Sequence, residues 1–345
     1  MKNAALRAGI SRRRLFKLSG AAAAFATFNI HTRSANAAEF TLKWGHDLPV
    51  IHPLIVRAKE AAERIKSESG GRLEVLVFPA NQLGSDSDTL SQIRTGALEM
   101  ANLPETIIST LIPVVAINTI GFAFKNYSDV WTAMDGALGA HIRAQMSKAN
   151  IISIEKVWNT GFRQITTSGG PVRSPDDLKS FRIRVPVTPL WTSMFKSLGA
   201  APTSINFNEL YTALQTRVVD GQENPLSLIL TAKLFEVQKH CSITNHLWSG
   251  QWTVLSRPAW ERLPNDLREI LSRNVNAAAV AERADVEKFD PDSRAELVSK
   301  GMIFNEPEIA PFRDKLAKSG FYSEWKQKFG DEAWALLEKY SGKLA

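Results

Sequence analysis

Apolar and polar positions alternate over Phe40-Thr41-Leu42-Lys43-Trp44-Gly45, which predicts a strand ending at the glycine. From Pro53 the period lengthens. Leu54, Ala58, Ala61, Ala62 and Ile65 fall on one helical face. Arg72 to Phe78 returns to alternation, with Leu73, Val75 and Val77 on one side. Ser85-x-x-Asp88 opens a second helix carrying Leu90 and Ile93, and Gly96 ends it. Ala97 to Leu103 reads as a third strand. This β-α-β-α-β run predicts an open α/β sheet.

Ile107 to Phe124 is the most apolar stretch after the N-terminal region. Polar residues and the punctuation of Pro113 and Gly121 speak against a membrane span, so buried strands and connections are expected there. Ser128 is expected to cap a helix with Val130, Met134, Leu138 and Met146. The second half repeats the pattern. Strands are predicted over 151–158, 182–185, 218–219, 237–244 and 252–255. Helices are predicted after Thr188-Pro189, Asn206-x-x-Glu209 and Pro225. A long helical pattern runs from Asn265 to Asp290, where Pro291 is expected to kink or break it. Two α/β lobes without a low-complexity linker imply a chain that crosses between them more than once.

Composition agrees with a large folded core: 345 residues, 44% apolar and 22% charged. The net charge of +7 first suggests a polyanion partner. Its distribution removes that reading. Residues 1–37 hold seven basic residues and no acid, so the remainder is balanced and nucleic-acid binding is not expected. The same segment has the order of an export signal: Ser11-Arg12-Arg13-Arg14-Leu15-Phe16-Lys17, an Ala-rich apolar run too short to span a bilayer, and Ala35-Asn36-Ala37. The paired arginines resemble a twin-arginine signal, cleaved after Ala37. A location outside the cytoplasm follows, with no membrane span once the signal is removed.

Enzyme motifs are missing. The six histidines form no metal-binding spacing, Cys241 is the only cysteine, and no nucleophile elbow, P-loop or dinucleotide fingerprint occurs. Cys241 is read as a buried small residue. No catalytic residue, metal or cofactor is expected.

Binding chemistry concentrates in residues 158–225. Arg163 follows a glycine and a strand. Arg182-Ile183-Arg184-Val185-Pro186 alternates, so the two arginines share one face. Gly221-Gln222-Glu223-Asn224-Pro225 is a loop of amide and acid groups entering a helix. Trp158, Trp191, Phe207, Trp248 and Trp252 can supply aromatic walls. Guanidinium holds a carboxylate through two parallel hydrogen bonds, and such a set suits a small organic acid. Each feature also has an ordinary reading: Arg182 as a solvated residue, the aromatics as core, the loop as a helix cap.

Motifs along the rest of the chain tip this balance. They are Gly45-His46-Asp47-Leu48-Pro49, Phe78-Pro79-x-x-Gln82-Leu83-Gly84, Arg184-Val185-Pro186, Gly199-Ala200-x-Pro202-Thr203, Glu209-Leu210-Tyr211-Thr212-Ala213-Leu214-Gln215-Thr216 and Val219-Asp220-Gly221-Gln222-Glu223-Asn224-Pro225. Together they resemble the substrate-binding proteins of tripartite ATP-independent periplasmic (TRAP) transporters, in the C4-dicarboxylate-uptake branch. The resemblance implies a two-lobe periplasmic-binding-protein-like α/β fold with hinge strands and a long helix across both lobes. The expected lobes are residues 38–161 with about 250–290, and about 162–249 with 291–345.

The resemblance also implies a function. A periplasmic, monomeric protein captures a small organic acid and delivers it to small and large membrane subunits. Arg184 is implied as the main carboxylate partner and Arg163 as a further contact. Asn224 and Phe207 line the site, and Trp158 and Glu223 join the expected ligand-binding set. Two departures are visible: the acid after the third strand is at Glu105, behind Pro104, and Val187 follows Arg184-Val185-Pro186 where relatives often have a polar residue. Sialic acid is therefore not the expected ligand; the aromatic content suits an aromatic or moderately large acid, with a dicarboxylate or a sugar acid as further alternatives. An exported oxidoreductase-like enzyme and a binding protein for an ATP-driven importer remain as alternatives.

Overall fold

A computed structural model describes residues 38–344, so the expected export signal lies outside the described residues. Among the described residues eleven strands form one continuous sheet system: β1 (Phe40–Gly45), β2 (Leu73–Phe78), β3 (Met100–Pro104), β4 (Ile151–Ser153), β5 (Trp158–Thr167), β6 (Arg182–Val185), β7 (Ala201–Ser204), β8 (Gly221–Pro225), β9 (His240–Ser242), β10 (Trp248–Ser256) and β11 (Ile303–Asn305). Their main order is β2-β1-β3-β10-β5-β8-β6-β7. β1 lies parallel to β2 and β3, and β10 runs antiparallel to β3, β4 and β5. In the second half β6 is parallel to β7 and β8, while β5 is antiparallel to β8 and β9.

The crossing element is β5. Residues 158–162 pair with β10, and Arg163 to Thr167 pair with β8. Gly161 takes φ +112 in between, a value that favours glycine. Opposite it the β10 register shifts between Ser249 and Gly250, leaving Thr160 as the extra residue of a bulge. A bulge re-aims its side chain. Here Thr160 Oγ1 donates to the Ser249 carbonyl at 2.7 Å and borders the cavity described below.

The helix Pro53–Glu68 packs its Leu54, Ala58, Ala61 and Ile65 face with Leu267, Leu271, Val275 and Ala278 of the helix Asn265–Ser299. Facing alanines let helix axes approach closely. The long helix does not stop at Pro291: it continues to Ser299, because the proline removes only its own donor while buried Ser293 and Leu297 hold the next turns.

Other local expectations change. The apolar stretch 107–124 forms helical turns, Glu105–Ile108 and Pro113–Thr119, and no strand. Periodicity alone does not separate a short buried helix from a buried strand. Asn126, not Ser128, caps the helix Tyr127–Met134 by accepting from the Asp129 N–H at 2.9 Å, and a separate helix follows over Ala137–Lys148. The predicted 151–158 strand is split between β4 and the start of β5. Val218 is exposed, and the strand expected at 218–219 begins at Gly221 instead. Cys241 is buried on β9. No helix of the described residues is long and apolar enough to cross a membrane.

Candidate functional site

β6 builds the central group. Ile183 and Val185 pack into the core, which turns Arg182 and Arg184 the other way. The two arginines then part. Arg182 is exposed and chelates Asp220 at 2.6 and 2.8 Å. Arg184 is 1% exposed and borders a partly open cavity of about 40 Å³. Its Nε donates to the Ile205 carbonyl at 2.9 Å, whereas its Nη1 is buried with no hydrogen-bond partner. Burial pulls the guanidinium down to about 10, which still leaves it cationic at neutral pH.

Arg163 sits beside it in a saturated network. Its guanidinium grips Glu223 at 2.5 and 3.0 Å, the Glu223 carbonyl at 2.7 Å and Asn224 Oδ1 at 2.8 Å, and reaches Ser249 Oγ at 3.3 Å. The cation also lies 4.7 Å over the Trp191 ring. Glu223 is 0% exposed. Burial pushes its carboxyl up, but Arg163 and the His246 bond at 3.2 Å outweigh this and hold it below the usual carboxylate range. Arg163 and Glu223 cancel each other's charge, so Arg184 is the cation of this wall that no carboxylate within hydrogen-bonding distance neutralises.

The opposite wall is acidic. Asp47 follows β1, and Asp86 opens the helix Asp86–Thr95. Gln251 Nε2 donates to Asp47 Oδ1 at 2.7 Å, and Asn81 Nδ2 to Asp86 Oδ1 at 3.2 Å. Burial, and then the neighbouring Asp86, push Asp47 up to about 8; burial pushes Asp86 up to about 6.

Of the expected ligand-binding residues, Arg184, Arg163, Asn224 and Phe207 border the cavity. The other two do not border it. Trp158 lies in the core beside Trp44, with its indole N–H given to Thr253 Oγ1 at 2.8 Å. Glu223 sits behind Arg163 and orients it. Among the other aromatics Trp191 borders the cavity, while Trp248 and Trp252 do not. Glu105 is also withdrawn: Asn118 and the Gly250 N–H hold it at 2.9 and 3.0 Å. Sequence reasoning passed over Asp47, Asp86 and Gln251. Asp47 stood inside a quoted motif, but nothing local marked the other two.

The chain as a whole is similar to known proteins. The family model for bacterial extracellular solute-binding proteins, family 7, matches residues 44–326. The chain belongs to that family. It is 30% identical over 298 residues to the sialic acid-binding periplasmic protein SiaP of Vibrio cholerae, covering 86% of this chain and 91% of that protein. It spans about half (52%) of another relative, an uncharacterized protein of Sinorhizobium fredii that is 34% identical. Among solved structures, a TRAP periplasmic solute-binding protein of Roseobacter denitrificans with bound L-galactonate is 29% identical, with a TM-score of 0.82 over 88% of this chain and 99% of that one. One from Sulfurospirillum deleyianum with bound succinate is 26% identical, with a TM-score of 0.83 over 88% and 99%. The fold is thus the two-lobe α/β fold of these binding proteins. Family and neighbours are solute-binding proteins and not enzymes, so the oxidoreductase alternative falls away.

Proposed function

We propose that this protein captures a small organic acid in the periplasm through Arg184 and hands it to the small and large membrane subunits of a TRAP transporter. The observation that carries the reading is the buried Arg184 guanidinium, which borders the cavity and whose Nη1 has no hydrogen-bond partner. An unpaired buried donor is unfavourable, and an entering carboxylate removes that penalty with a charge-assisted bond. Arg163 and Asn224 frame the same end, Phe207 and Trp191 supply apolar walls, and the neighbours' bound acids support the ligand class.

The lobes are residues 38–161 with about 250–290, and about 162–249 with 291–345, with β5 and β10 as the crossing strands. Closure brings Asp47 and Asp86 of one lobe over Arg184 of the other. The ligand drives it by binding the closed form better than the open one. Calorimetry tests the reading. The wild-type protein binds small carboxylates, and Arg184→Ala lowers affinity by more than a hundredfold, about 3 kcal/mol, while the fold stays intact by circular dichroism. Unchanged affinity in the variant rejects the assignment.

A further inference from the structure

The two cavity walls together define more than an anion site. We propose that Asp47, Asp86 and Gln251 select a monocarboxylate whose remaining body carries hydroxyl groups, and that they reject a second carboxylate. This rests on the organic-acid reading above.

The acidic wall alone would say little. The observations that point to a ligand are unmet hydrogen-bonding atoms of opposite kind on two residues that border one cavity. Arg184 Nη1 is a buried donor without an acceptor, and Gln251 Oε1 is a buried acceptor without a donor. In the structure the Gln251 Nε2 donates to Asp47 Oδ1 at 2.7 Å, which leaves Oε1 as the free end of the amide. Asp47 and Asp86 each receive a single side-chain hydrogen bond, so their acceptor capacity is far from filled. A guest with one carboxylate at Arg184 and donors along its body meets both needs.

A dicarboxylate would meet only the first. Its second charge would lie beside the buried Asp47–Asp86 carboxyl pair, which already resists holding more negative charge, with Arg163 already neutralised by Glu223 and, among the described residues, no other cation bordering the cavity besides Arg184. Hydroxyls fit better than an ammonium group. Thr106 also borders the cavity, and its hydroxyl has no partner among the described residues. Like Gln251 it can both give and accept, as a guest hydroxyl does and an ammonium does not.

The test is calorimetry of the purified protein against aldonic and uronic acids of four to six carbons, α,ω-dicarboxylates of the same lengths, and amino acids. The expected result is that a hydroxy acid binds at least tenfold more tightly than the dicarboxylate of equal length. In Asp47→Asn/Asp86→Asn that ratio falls at least tenfold. Asp86→Asn alone, at the first turn of a helix, gives the same direction if the double variant fails to fold. Three results overturn the proposal. If dicarboxylates bind as tightly as hydroxy acids, or the ratio ignores the substitutions, the organic-acid reading stands and the selectivity claim is lost. If amino acids bind tightest, the donor is an ammonium group. If no carboxylate binds, the organic-acid reading falls and this proposal with it.

Discussion

The two sides of the cavity treat buried charge differently. On one side Arg163 has Glu223 against it at 2.5 Å, and His246 sits behind Glu223 at 3.2 Å. On the other side two buried carboxyl groups, Asp47 and Asp86, have only Gln251 and Asn81 as side-chain donors, and burial disfavours ionising both. The first arrangement is complete without a guest. The second, with the neighbouring Arg184, is incomplete, which is the condition for binding to release free energy. A satisfied network fixes the shape of the site, and unsatisfied groups supply the affinity.

The largest disturbance of this contrast comes from unpairing the satisfied side. Glu223→Gln leaves Arg163 buried without its counter-ion. Breaking one partner of such a pair costs about 3 kcal/mol or more. Urea unfolding of the ligand-free protein is expected to show that loss, whereas Arg182→Ala, which removes an exposed pair with Asp220, changes stability by less than about 1 kcal/mol. Equal effects from the two substitutions would mean that the buried pair is not what holds this wall.

Part of the contrast was legible in the sequence. Arg184 could be found because strand alternation with Ile183 and Val185 is local, and the Ser85–Asp88 capping box is likewise a four-residue signal. The acidic wall could not be assembled that way. Asp47, Asp86 and Gln251 lie on a loop after β1, a helix start and the middle of β10, and they meet only because β10 returns beside β3. Aromatic residues misled for a related reason. Trp158 is as hydrophobic as Trp191 and about as near the arginines in sequence, but β5 points it toward Trp44 and the core under the helix Pro53–Glu68. Glu223 alternates with its neighbours as a site residue would, yet its partner Arg163 comes from the adjacent strand.

Titration sharpens the acidic side. Asp47 ionises near pH 8 in the folded protein, far above its ordinary 3.8, and Asp86 near 6. Between those ordinary and raised values the folded state keeps a proton that the unfolded chain has lost. The stabilisation is therefore full at low pH and is lost as pH rises toward 8. His46 and His52 act in the opposite sense. Burial lowers both to about 3, so their contribution grows up to about pH 6.5 and is flat above it. The window from pH 6.5 to 8 thus favours Asp47. Asp47→Asn, which cannot titrate there, should gain on the ligand-free wild type by up to about 2 kcal/mol across that window, since each unit of pH is worth about 1.4 kcal/mol per proton. Glu105, raised to about 7, is common to both proteins and drops out of the difference. Parallel pH profiles of the two would show that Asp47 is already ionised in the empty cavity.

The smallest effect concerns the contacts that join the two walls. Ser87 Oγ donates to Asn206 Oδ1 at 3.1 Å, linking the helix that Asp86 opens to the cap of the helix that carries Phe207. Both residues are outside the cavity lining, and the bond is exposed, so it contributes about 0.5–1 kcal/mol. If it forms only when the lobes close over a guest, Ser87→Ala will raise the ligand dissociation rate about two- to fivefold in stopped-flow measurements and leave the ligand-free melting temperature unchanged. A melting temperature that falls in step with affinity would mean that the bond belongs to the resting protein. The contrast between a finished wall and an unfinished one would then describe a preformed pocket, with closure playing no part in capture.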